Sequence, residues 1–463
     1  MRFCDVSSFY SDHGGGVRTY HRHKLEWFAR HPEHRYVLVV PGERPSRERL
    51  PGGTIVRVRG LPVTPGGTYR QIVDLPAVRR VLREGFDVVE SGSPYLDGWI
   101  ALAAARGTSA RVTAFCHADV PDAYVAPAAA RLPRPLAAGL VEGARRYLRA
   151  LYGRLDAVCV ASRYMERKLR SYGVTNLLHT PLGVDPLRFH PDRRDRLVRR
   201  DLGAADGDRL VLFVGRFHPE KELGPVLDAV RRLDGRPRLR FALVGGGPQA
   251  AEVRAALSSC RSAKVLDYVS DPERVADLYA AADLYLAPGP HETFGLAVLE
   301  ALASGLPVVA VDHGAAGEIV TEAGAGALFR RGDGADLAAR IAELLDADLG
   351  LLSRRARRIA ERSYTWDHAF ARQTAACAVL CGLPSPAART PAPRGACGYA
   401  ANPTRTPMRA SKSSVGSRLV VPRTPARTFP DSRASRVGAG ADSPAITEQV
   451  TGPTPVGSVT RAT

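Results

Sequence analysis

Residues 283–311 read DLYLAPGPHETFGLAVLEALASGLPVVAV, and this stretch decides the fold. Two short apolar segments, 283–288 and 307–311, flank a loop rich in glycine and proline and a run of strong helix formers at 296–303. Continuous apolar strands connected through helices are typical of parallel sheets that are covered on both faces. The stretch therefore predicts a strand–loop–helix–strand unit of an α/β fold.

The same alternation continues outward from this unit, back to the first residues and forward to residue 382. Before residue 190, apolar runs predict strands at 36–40, 86–90, 111–115 and 156–162. A polar, arginine-rich stretch at 189–209 follows, and then the pattern starts again. Because a single hydrophobic core stops growing at about 250–300 residues, a chain of 463 residues requires more than one domain. We predict two doubly wound domains, with the ligand site in the cleft between their facing sheets.

Two glutamates mark the loop and helix of the opening stretch. Glu292 lies in the loop, and Glu300 lies about one turn inside the predicted helix. The N–H groups of Phe294, Gly295 and Leu296, with the positive end of the helix, form a site for a pyrophosphate. Glu300 then lies roughly 6–7 Å further along, near the hydroxyls of an attached ribose. These residues alone also fit a structural alternative, in which one glutamate caps the helix and the other is a solvent-exposed carboxylate.

A second segment, FVGRFHPEKE at 213–222, carries two cations behind an apolar strand. Arg216 stands at the carboxyl end of that strand, and Lys221 follows five residues later. Two such cations can neutralise a departing nucleoside diphosphate without a metal ion. The chain has only five lysines, so Lys221 stands out more than another arginine would. The alternative is a surface pair at a strand end.

Two further loops face the same predicted cleft. In DHGGGVRTY, at 12–20, Gly15 and Gly16 allow close approach of a ligand ahead of a helix N-terminus. The spacing is not G-x-G-x-x-G, which argues against a dehydrogenase. In FCHADVPDAY, at 115–124, His117 and Asp119 follow a predicted strand. The alternatives are a plain strand–helix turn and a loop histidine with ordinary partners.

The net charge of +18 is unevenly distributed. Residues 383–463 hold eleven Lys/Arg and three Asp/Glu and are rich in Pro, Ser and Thr, which predicts a disordered, basic C-terminal tail. No reader motif accompanies the charge, so we expect no nucleic acid partner. A basic amphipathic stretch at 130–154 suggests peripheral contact with an anionic membrane. A packed helix with a solvated arginine face is the alternative.

Composition argues against disulfides, a zinc site, a membrane span and export. The seven cysteines are scattered and contain no C-x-x-C pair, which indicates reduced thiols in a cytoplasmic protein rather than disulfides or a zinc site. No uninterrupted run of about 18 apolar residues exists, so we expect no membrane span. The first residues show no export signal. We also expect that the protein uses no metal ion and no cofactor.

Together these segments resemble the retaining glycosyltransferases of family 4, which have the GT-B fold of two facing Rossmann-like domains with a deep cleft. The matching positions are Gly14-Gly15-Gly16-Val17, His117, Pro181-Leu182-Gly183-Val184-Asp185, Gly215-Arg216, Glu220-Lys221, 244–248, 268–271, Glu292 and Glu300. Leu182 and Asp267 depart from the residues usual in the family. The resemblance runs from residue 1 to about 382, and the tail has no counterpart.

The resemblance implies four segments. Residues 1–190 form an acceptor domain, 191–362 a nucleotide-sugar donor domain, 363–382 a helix crossing back to the first domain, and 383–463 the tail. It implies catalytic roles for His117, Arg216, Lys221 and Glu292. It implies donor binding by Gly15, Gly16, Arg216, Lys221, Phe294, Gly295, Leu296 and Glu300.

The expected reaction transfers a hexose from a nucleotide diphosphate sugar, with GDP-mannose favoured, to a hydroxyl acceptor with retention of configuration. A membrane glycolipid or a polysaccharide precursor is the expected acceptor. Two alternatives remain open at this point: a catalytically silent sugar-nucleotide-binding module, and a sugar-nucleotide epimerase or phosphorylase on the same fold. A phosphorylase would need a pyridoxal-binding lysine, for which five lysines offer few candidates.

Overall fold

Two β-sheets, each covered by helices, make up the part of the chain that the computed structural model describes, which is residues 1–10, 15–63 and 69–384. The predicted α/β fold with two Rossmann-like domains is therefore confirmed. Gly14 of the predicted glycine loop and almost all of the predicted tail, from residue 385 on, lie outside the described residues.

The first sheet and its helices form what we call the N-terminal lobe. Its strands are β1 (Arg2–Val6), β2 (Arg35–Gly42), β3 (Ser46–Leu50), β4 (Gly53–Pro62), β5 (Arg70–Ile72), β6 (Val88–Ser91), β7 (Arg111–Phe115), β8 (Ala157–Val160) and β9 (Leu177–His179). Its helices are α1 (Gly16–Arg30), α2 (Leu75–Leu82), α3 (Leu96–Ala104), α4 (Ala126–Ala129), α5 (Arg134–Tyr152) and α6 (Arg163–Ser171). The strands lie in the order β3-β4-β2-β1-β6-β7-β8-β9, with β5 paired to β4. The pairs are parallel except β3–β4 and β4–β5.

The second sheet and its helices form the C-terminal lobe. Its strands are β10 (Arg209–Val214), β11 (Leu239–Val244), β12 (Ala263–Leu266), β13 (Leu284–Ala287), β14 (Val308–Val311) and β15 (Gly326–Phe329). The helices that follow α6 are α7 (Arg196–Asp201), α8 (Gly224–Leu233), α9 (Ala250–Leu257), α10 (Pro272–Ala281), α11 (Leu296–Ala303), α12 (Ala315–Ala323), α13 (Gly334–Asp346), α14 (Leu349–Ser363) and α15 (Trp366–Leu380).

The strand order of the C-terminal sheet positions its site. The order is β12-β11-β10-β13-β14-β15, and every adjacent pair is parallel. The direction of winding reverses between β10 and β13, and a crevice for ligands opens at the carboxyl ends of strands at such a point. The segments that follow these two strands carry Arg216, Lys221 and Glu292.

Apolar burial holds the C-terminal sheet in place. All four residues of β13 and of β14 are buried, as the continuous apolar pattern requires for strands covered on both faces. Burying a single Val or Leu side chain contributes about 1.5–3 kcal/mol.

The last helix packs on the N-terminal lobe. The ring of Trp366, at the start of α15, stacks on His23 of α1 with centroids 4.8 Å apart. Asp367 accepts two hydrogen bonds from the Arg30 guanidinium, at 2.6 and 2.9 Å. The chain therefore returns to the lobe in which it started. Among the described residues, no helix combines the length and the apolar character that a bilayer span demands.

Candidate active site

The carboxyl end of β10 places the two predicted cations at the cleft. A short turn of 3₁₀ helix, Pro219–Lys221, follows the strand. The Lys221 ammonium donates a hydrogen bond to Glu292, and the Arg216 guanidinium donates one to Glu220. Desolvation opposes the charge of Lys221, but the neighbouring Glu292 carboxylate outweighs it and raises the pKa of Lys221. Lys221 is thus charged, and both Lys221 and Arg216 are paired with acids before any ligand binds.

Helix α11 begins as the sequence predicts. Its N-cap, Gly295, has a φ of +104°, a conformation that favours glycine because other residues are strained there. Phe294 is 3% exposed, and its ring packs 6.0 Å from that of Tyr364. Only the backbone of Phe294 is therefore available to a ligand, as the pattern suggests.

A second helix N-terminus meets α11 across the cleft. Helix α1 is also capped by a glycine, Gly15, with a φ of +104°. A Cβ atom built on Gly16 would lie 3.6 Å from the Leu296 side chain of α11. The positive ends of two helices, one from each lobe, therefore converge on one place, and an anion is stabilised there by both.

Glu300 lines a separate cavity of about 410 Å³ that also includes Gly15, Leu296, Arg188 and Tyr268. Burial raises the pKa of the Glu300 carboxyl to about 7, and the nearby Tyr279 hydroxyl lowers it only in part. A carboxyl group that lines a cavity and whose pKa is raised to near neutral pH is a candidate for a ligand contact. Sequence reasoning did not single out Arg188 or Tyr268 as separate site residues.

His117 lies just beyond β7. Its ring stacks on Phe115 at 4.6 Å and meets the edge of Tyr20 at 5.2 Å. Burial, with the charges of His21 and Lys24, lowers the pKa of His117 to about 3. The imidazole is therefore neutral at physiological pH.

A buried polar network lies behind His117. Lys24, almost fully enclosed, donates hydrogen bonds to Asp5 at 2.7 Å and Glu90 at 3.0 Å. The Tyr20 hydroxyl donates to Glu90 at 2.9 Å, and Gln373 of α15 also donates to Glu90. Buried charges of this kind persist because they are paired. The network fixes the ring of Tyr20 against His117.

A smaller cavity, which we call the central cavity, brings most of the predicted catalytic residues together. Its volume is about 110 Å³, and its lining includes His117, Asp119, Tyr124, Lys221, His291, Glu292 and Thr293. Arg216 does not line it, and its side chain is 61% exposed. Three of these residues were not predicted from the sequence as site residues: Tyr124, His291 and Thr293. Thr293 could have been predicted, because it lies between the predicted site residues Glu292 and Phe294.

Two aromatic rings, one half-buried and one exposed, meet at the carboxyl ends of strands in the N-terminal lobe. The ring of Phe9, after β1, lies 5.6 Å from that of Tyr95, after β6. The buried Asp97 carboxylate fixes both loops because it accepts hydrogen bonds from the Ser8 N–H and the Ser93 hydroxyl, each at 2.8 Å. The buried carboxylate therefore holds the two loops, and with them the aromatic pair, in place.

Comparisons with known proteins show the family of this chain. Residues 14–188 match the model of Glycosyltransferase Family 4, and residues 195–366 match that of Glycosyl transferases group 1. The chain is 33% identical over 336 residues to a GDP-mannose-dependent alpha-(1-6)-phosphatidylinositol dimannoside mannosyltransferase of Mycobacterium tuberculosis, covering 69% of this chain and 82% of the relative. It is 29% identical over 293 residues to a GDP-mannose-dependent alpha-mannosyltransferase of Corynebacterium glutamicum, covering 62% of this chain and 67% of the relative.

Solved structures share the fold. Sucrose-phosphate synthase from Thermosynechococcus elongatus superposes with a TM-score of 0.62 at 21% identity, over 82% of this chain and 98% of that chain. The Anabaena protein HepE, in complex with UDP-glucose, superposes with a TM-score of 0.63 at 17% identity, over 83% of this chain and 100% of that chain.

Fold and site therefore define an enzyme of the GT-B glycosyltransferase class. Within that class, the chain belongs to glycosyltransferase family 4.

Proposed function

We propose that this glycosyltransferase transfers mannose from GDP-mannose to a hydroxyl acceptor with retention of the anomeric configuration. The observation that carries the proposal is the convergence of two positive helix ends beside the paired Lys221 and Glu292. Such a place suits a diphosphate joined to a sugar. GDP-mannose is preferred to UDP-linked donors because relatives that are about 30% identical are named as GDP-mannose-dependent.

The roles of the residues follow from their chemistry. Arg216 and Lys221 bind the diphosphate, and the N–H groups of Gly295 and Leu296 with the Gly15–Gly16 backbone complete its site. Glu292 binds hydroxyls of the mannose, and Glu300 binds those of the ribose. His117, which is neutral, lies at the reacting sugar. Phe294 contributes only its backbone.

Donor binding exchanges partners within the site. Lys221 is held by Glu292 before the donor arrives, and Arg216 is held by Glu220. The diphosphate competes for both cations and frees the Glu292 carboxylate to accept hydrogen bonds from the sugar. The bonds that the two cations give up and the bonds to phosphate that replace them are all charge-assisted, so this exchange loses little.

The reaction is a substitution on one face of the sugar. The bond between the anomeric carbon and the β-phosphate oxygen breaks, and a bond from the acceptor oxygen to the same carbon forms on the same face. The proton of the acceptor hydroxyl passes to the departing phosphate oxygen. Arg216, Lys221 and the two helix ends stabilise the negative charge that develops on that oxygen. No cofactor or metal ion is part of the proposal.

The proposed acceptor is a glycolipid or polysaccharide precursor at the cytoplasmic face of a membrane. Leu136 and Leu140, one turn apart in α5, are 59% and 51% exposed, and Leu132 just before the helix is 44% exposed. Arg131 and Arg134 are exposed beside them. An apolar stripe flanked by arginines suits the surface of an anionic bilayer.

A donor screen tests the function. The purified protein is incubated with GDP-mannose, GDP-glucose, UDP-glucose and UDP-galactose, with and without acceptor glycolipid extract. Release of GDP from GDP-mannose, and an α-linked product by NMR, are the expected results. A β-linked product contradicts retention, preference for a UDP-sugar contradicts the donor, and epimerised donor without transfer contradicts the reaction class.

A further inference from the structure

Three residues around the central cavity hold a buried polar atom without a hydrogen-bond partner. The atoms are Nε2 of His117, Oδ1 of Asp119 and Nδ1 of His291. Buried polar atoms in native proteins are almost always paired, and an unpaired one calls for a specific explanation. Three around one cavity that also contains Lys221 and Glu292 share a single explanation, which is a ligand that supplies their partners.

Asp119 is the most constrained of the three. Its side chain is 1% exposed, and its Oδ2 atom accepts a hydrogen bond from the Lys168 ammonium. Its backbone carbonyl accepts one from the Ala123 N–H at 2.9 Å. Lys168 is also paired with Asp122, at 2.7 Å. The carboxylate is thus fixed on one oxygen, while the other has no partner.

His291 approaches the cavity from the other lobe. It directly precedes Glu292, and its side chain is 15% exposed. Its Nε2 atom lies 3.5 Å from the Arg331 guanidinium and 3.7 Å from Glu222. Nδ1 is again the atom without a partner. Asp119 and His291 therefore offer one free polar atom each, from opposite sides of the cleft.

We propose that Asp119 and His291 bind hydroxyl groups of the hexose that the enzyme transfers. The inference rests on the proposed function and extends its sugar site to two residues that the family resemblance does not include. A hydroxyl can donate to the Asp119 carboxylate and either donate to or accept from an imidazole nitrogen, according to its tautomer.

The chemistry of the lining favours a polyol over a second anion. The acids Asp119, Glu220 and Glu292 line the central cavity, and Lys221 is the lysine among its lining residues. A phosphate there would meet three carboxylates, whereas the helix ends offer it a positive site nearby. Sugar hydroxyls satisfy carboxylates and neutral imidazoles alike. We therefore assign the diphosphate to the helix ends and the sugar ring to the central cavity.

Comparing a sugar nucleotide with its bare nucleotide isolates the sugar contacts. Isothermal titration measures the affinities for GDP-mannose and GDP in the wild type and in Asp119→Ala. We expect the variant to bind GDP-mannose about tenfold more weakly and GDP within about twofold of the wild type, since a lost hydrogen bond to a charged group is worth at least a factor of ten. Asp122→Ala is the matched control because it removes the other carboxylate on Lys168 and does not line the central cavity.

A second variant keeps the test decisive if Asp119→Ala does not fold. His291→Phe retains a flat ring, leaves Lys168 untouched, and should also weaken GDP-mannose but not GDP. If the wild type binds neither ligand, the proposed function fails. If the wild type discriminates between them and both variants preserve that discrimination, the hexose assignment is overturned while the proposed function stands.

Discussion

The Thr293 hydroxyl donates a hydrogen bond to the backbone carbonyl of His117 at 3.1 Å, which joins the two lobes. The Thr293 carbonyl in turn accepts one from the Ser162 hydroxyl at 2.7 Å. Ser162 is itself fixed because its hydroxyl caps α6, accepting from the Met165 N–H at 3.1 Å. Thr293 lies between Glu292 and Phe294, so the N-terminal lobe fixes the loop that carries Glu292, the residue proposed to bind the sugar.

Replacing Thr293 tests this link between the lobes. Thr293→Val keeps the branched shape but removes the hydroxyl, so we expect kcat to fall about tenfold with little change in GDP affinity, the loss of roughly one hydrogen bond. Thr293→Ser restores the hydroxyl and should recover most of the rate. Steady-state kinetics with titration of GDP measures both. Equal rates in Thr293→Val and the wild type would show that the bond does not position the loop.

Lys221 supplies the second prediction. Lys221→Ala should lower kcat by ~10²-fold or more, by analogy with the loss of a single donor to a developing oxyanion. Lys264→Ala is the matched control because Lys264 is an exposed lysine of the same lobe. Turnover is measured at saturating GDP-mannose, with donor binding followed separately. Unchanged turnover with intact donor binding would rule out the role of Lys221 at the leaving group.

Local patterns were sufficient for the elements that frame the site. The helix predicted at 296–303 is observed as Leu296–Ala303. The pattern is clear because apolar helix formers directly follow Gly295, a glycine at a turn. The strand predicted at 36–40 lies within Arg35–Gly42. Both signals are contained in a few consecutive residues, which is why they could be recognised.

Other features depend on distant partners. The strand Ser46–Leu50 was not predicted because SRERL is almost wholly exposed and has no apolar pattern; it exists through pairing with β4. Helix α7 lies inside the arginine-rich stretch at 189–209, where no helix was predicted, and the side chain of Asp195 caps it. The hydrogen bond between Thr293 and His117 joins residues 176 positions apart, and no local sequence pattern predicts it.

If Glu300 binds the ribose as proposed, donor affinity depends on pH. Because burial raises its pKa to about 7, the carboxyl is mostly protonated at pH 6 and ionised at pH 8. The ionised carboxylate accepts stronger, charge-assisted hydrogen bonds from the ribose hydroxyls than the neutral acid does, so affinity for GDP-mannose should rise about tenfold between these values. GDP-mannose is the suitable probe because its diphosphate does not titrate in this range. Glu300→Gln should remove the dependence, and an unchanged slope in that variant would assign it to another group.

The same shift affects stability with the opposite sense. Between the ordinary pKa of a glutamate and about 7, the folded state holds a proton that the unfolded state has lost. The contribution of Glu300 to stability is therefore present at low pH and is lost as the pH rises through 7. We therefore expect the difference in free energy of unfolding between Glu300→Gln and the wild type, measured in urea, to shift in favour of the variant from pH 5 to pH 8.

Gly295 separates backbone strain from function. Gly295→Ala places a side chain at a φ of +104° and should lower the free energy of unfolding by about 1–2 kcal/mol. Gly107→Ala is the matched control, since Gly107 has a φ of +80° and open space where a Cβ would lie. Urea unfolding should show similar losses in both variants, whereas only Gly295→Ala should lose GDP affinity. Equal GDP affinities would mean that the N-terminus of α11 does not bind the phosphates.

The leucine stripe of α5 gives the last prediction. Only Leu148, Leu151 and Tyr152 of this helix are buried, whereas Leu136 and Leu140 in its first half are exposed. Leu136→Glu with Leu140→Glu should reduce co-sedimentation with anionic vesicles at least tenfold, because each CH₂ withdrawn from lipid costs about 0.8 kcal/mol. Leu187→Glu, at a leucine that is 86% exposed, is the control and should leave binding unchanged. Added salt should weaken wild-type binding by screening the arginines. If wild-type protein stays in the supernatant at low salt, the stripe does not contact lipid and the acceptor must reach the cleft from solution.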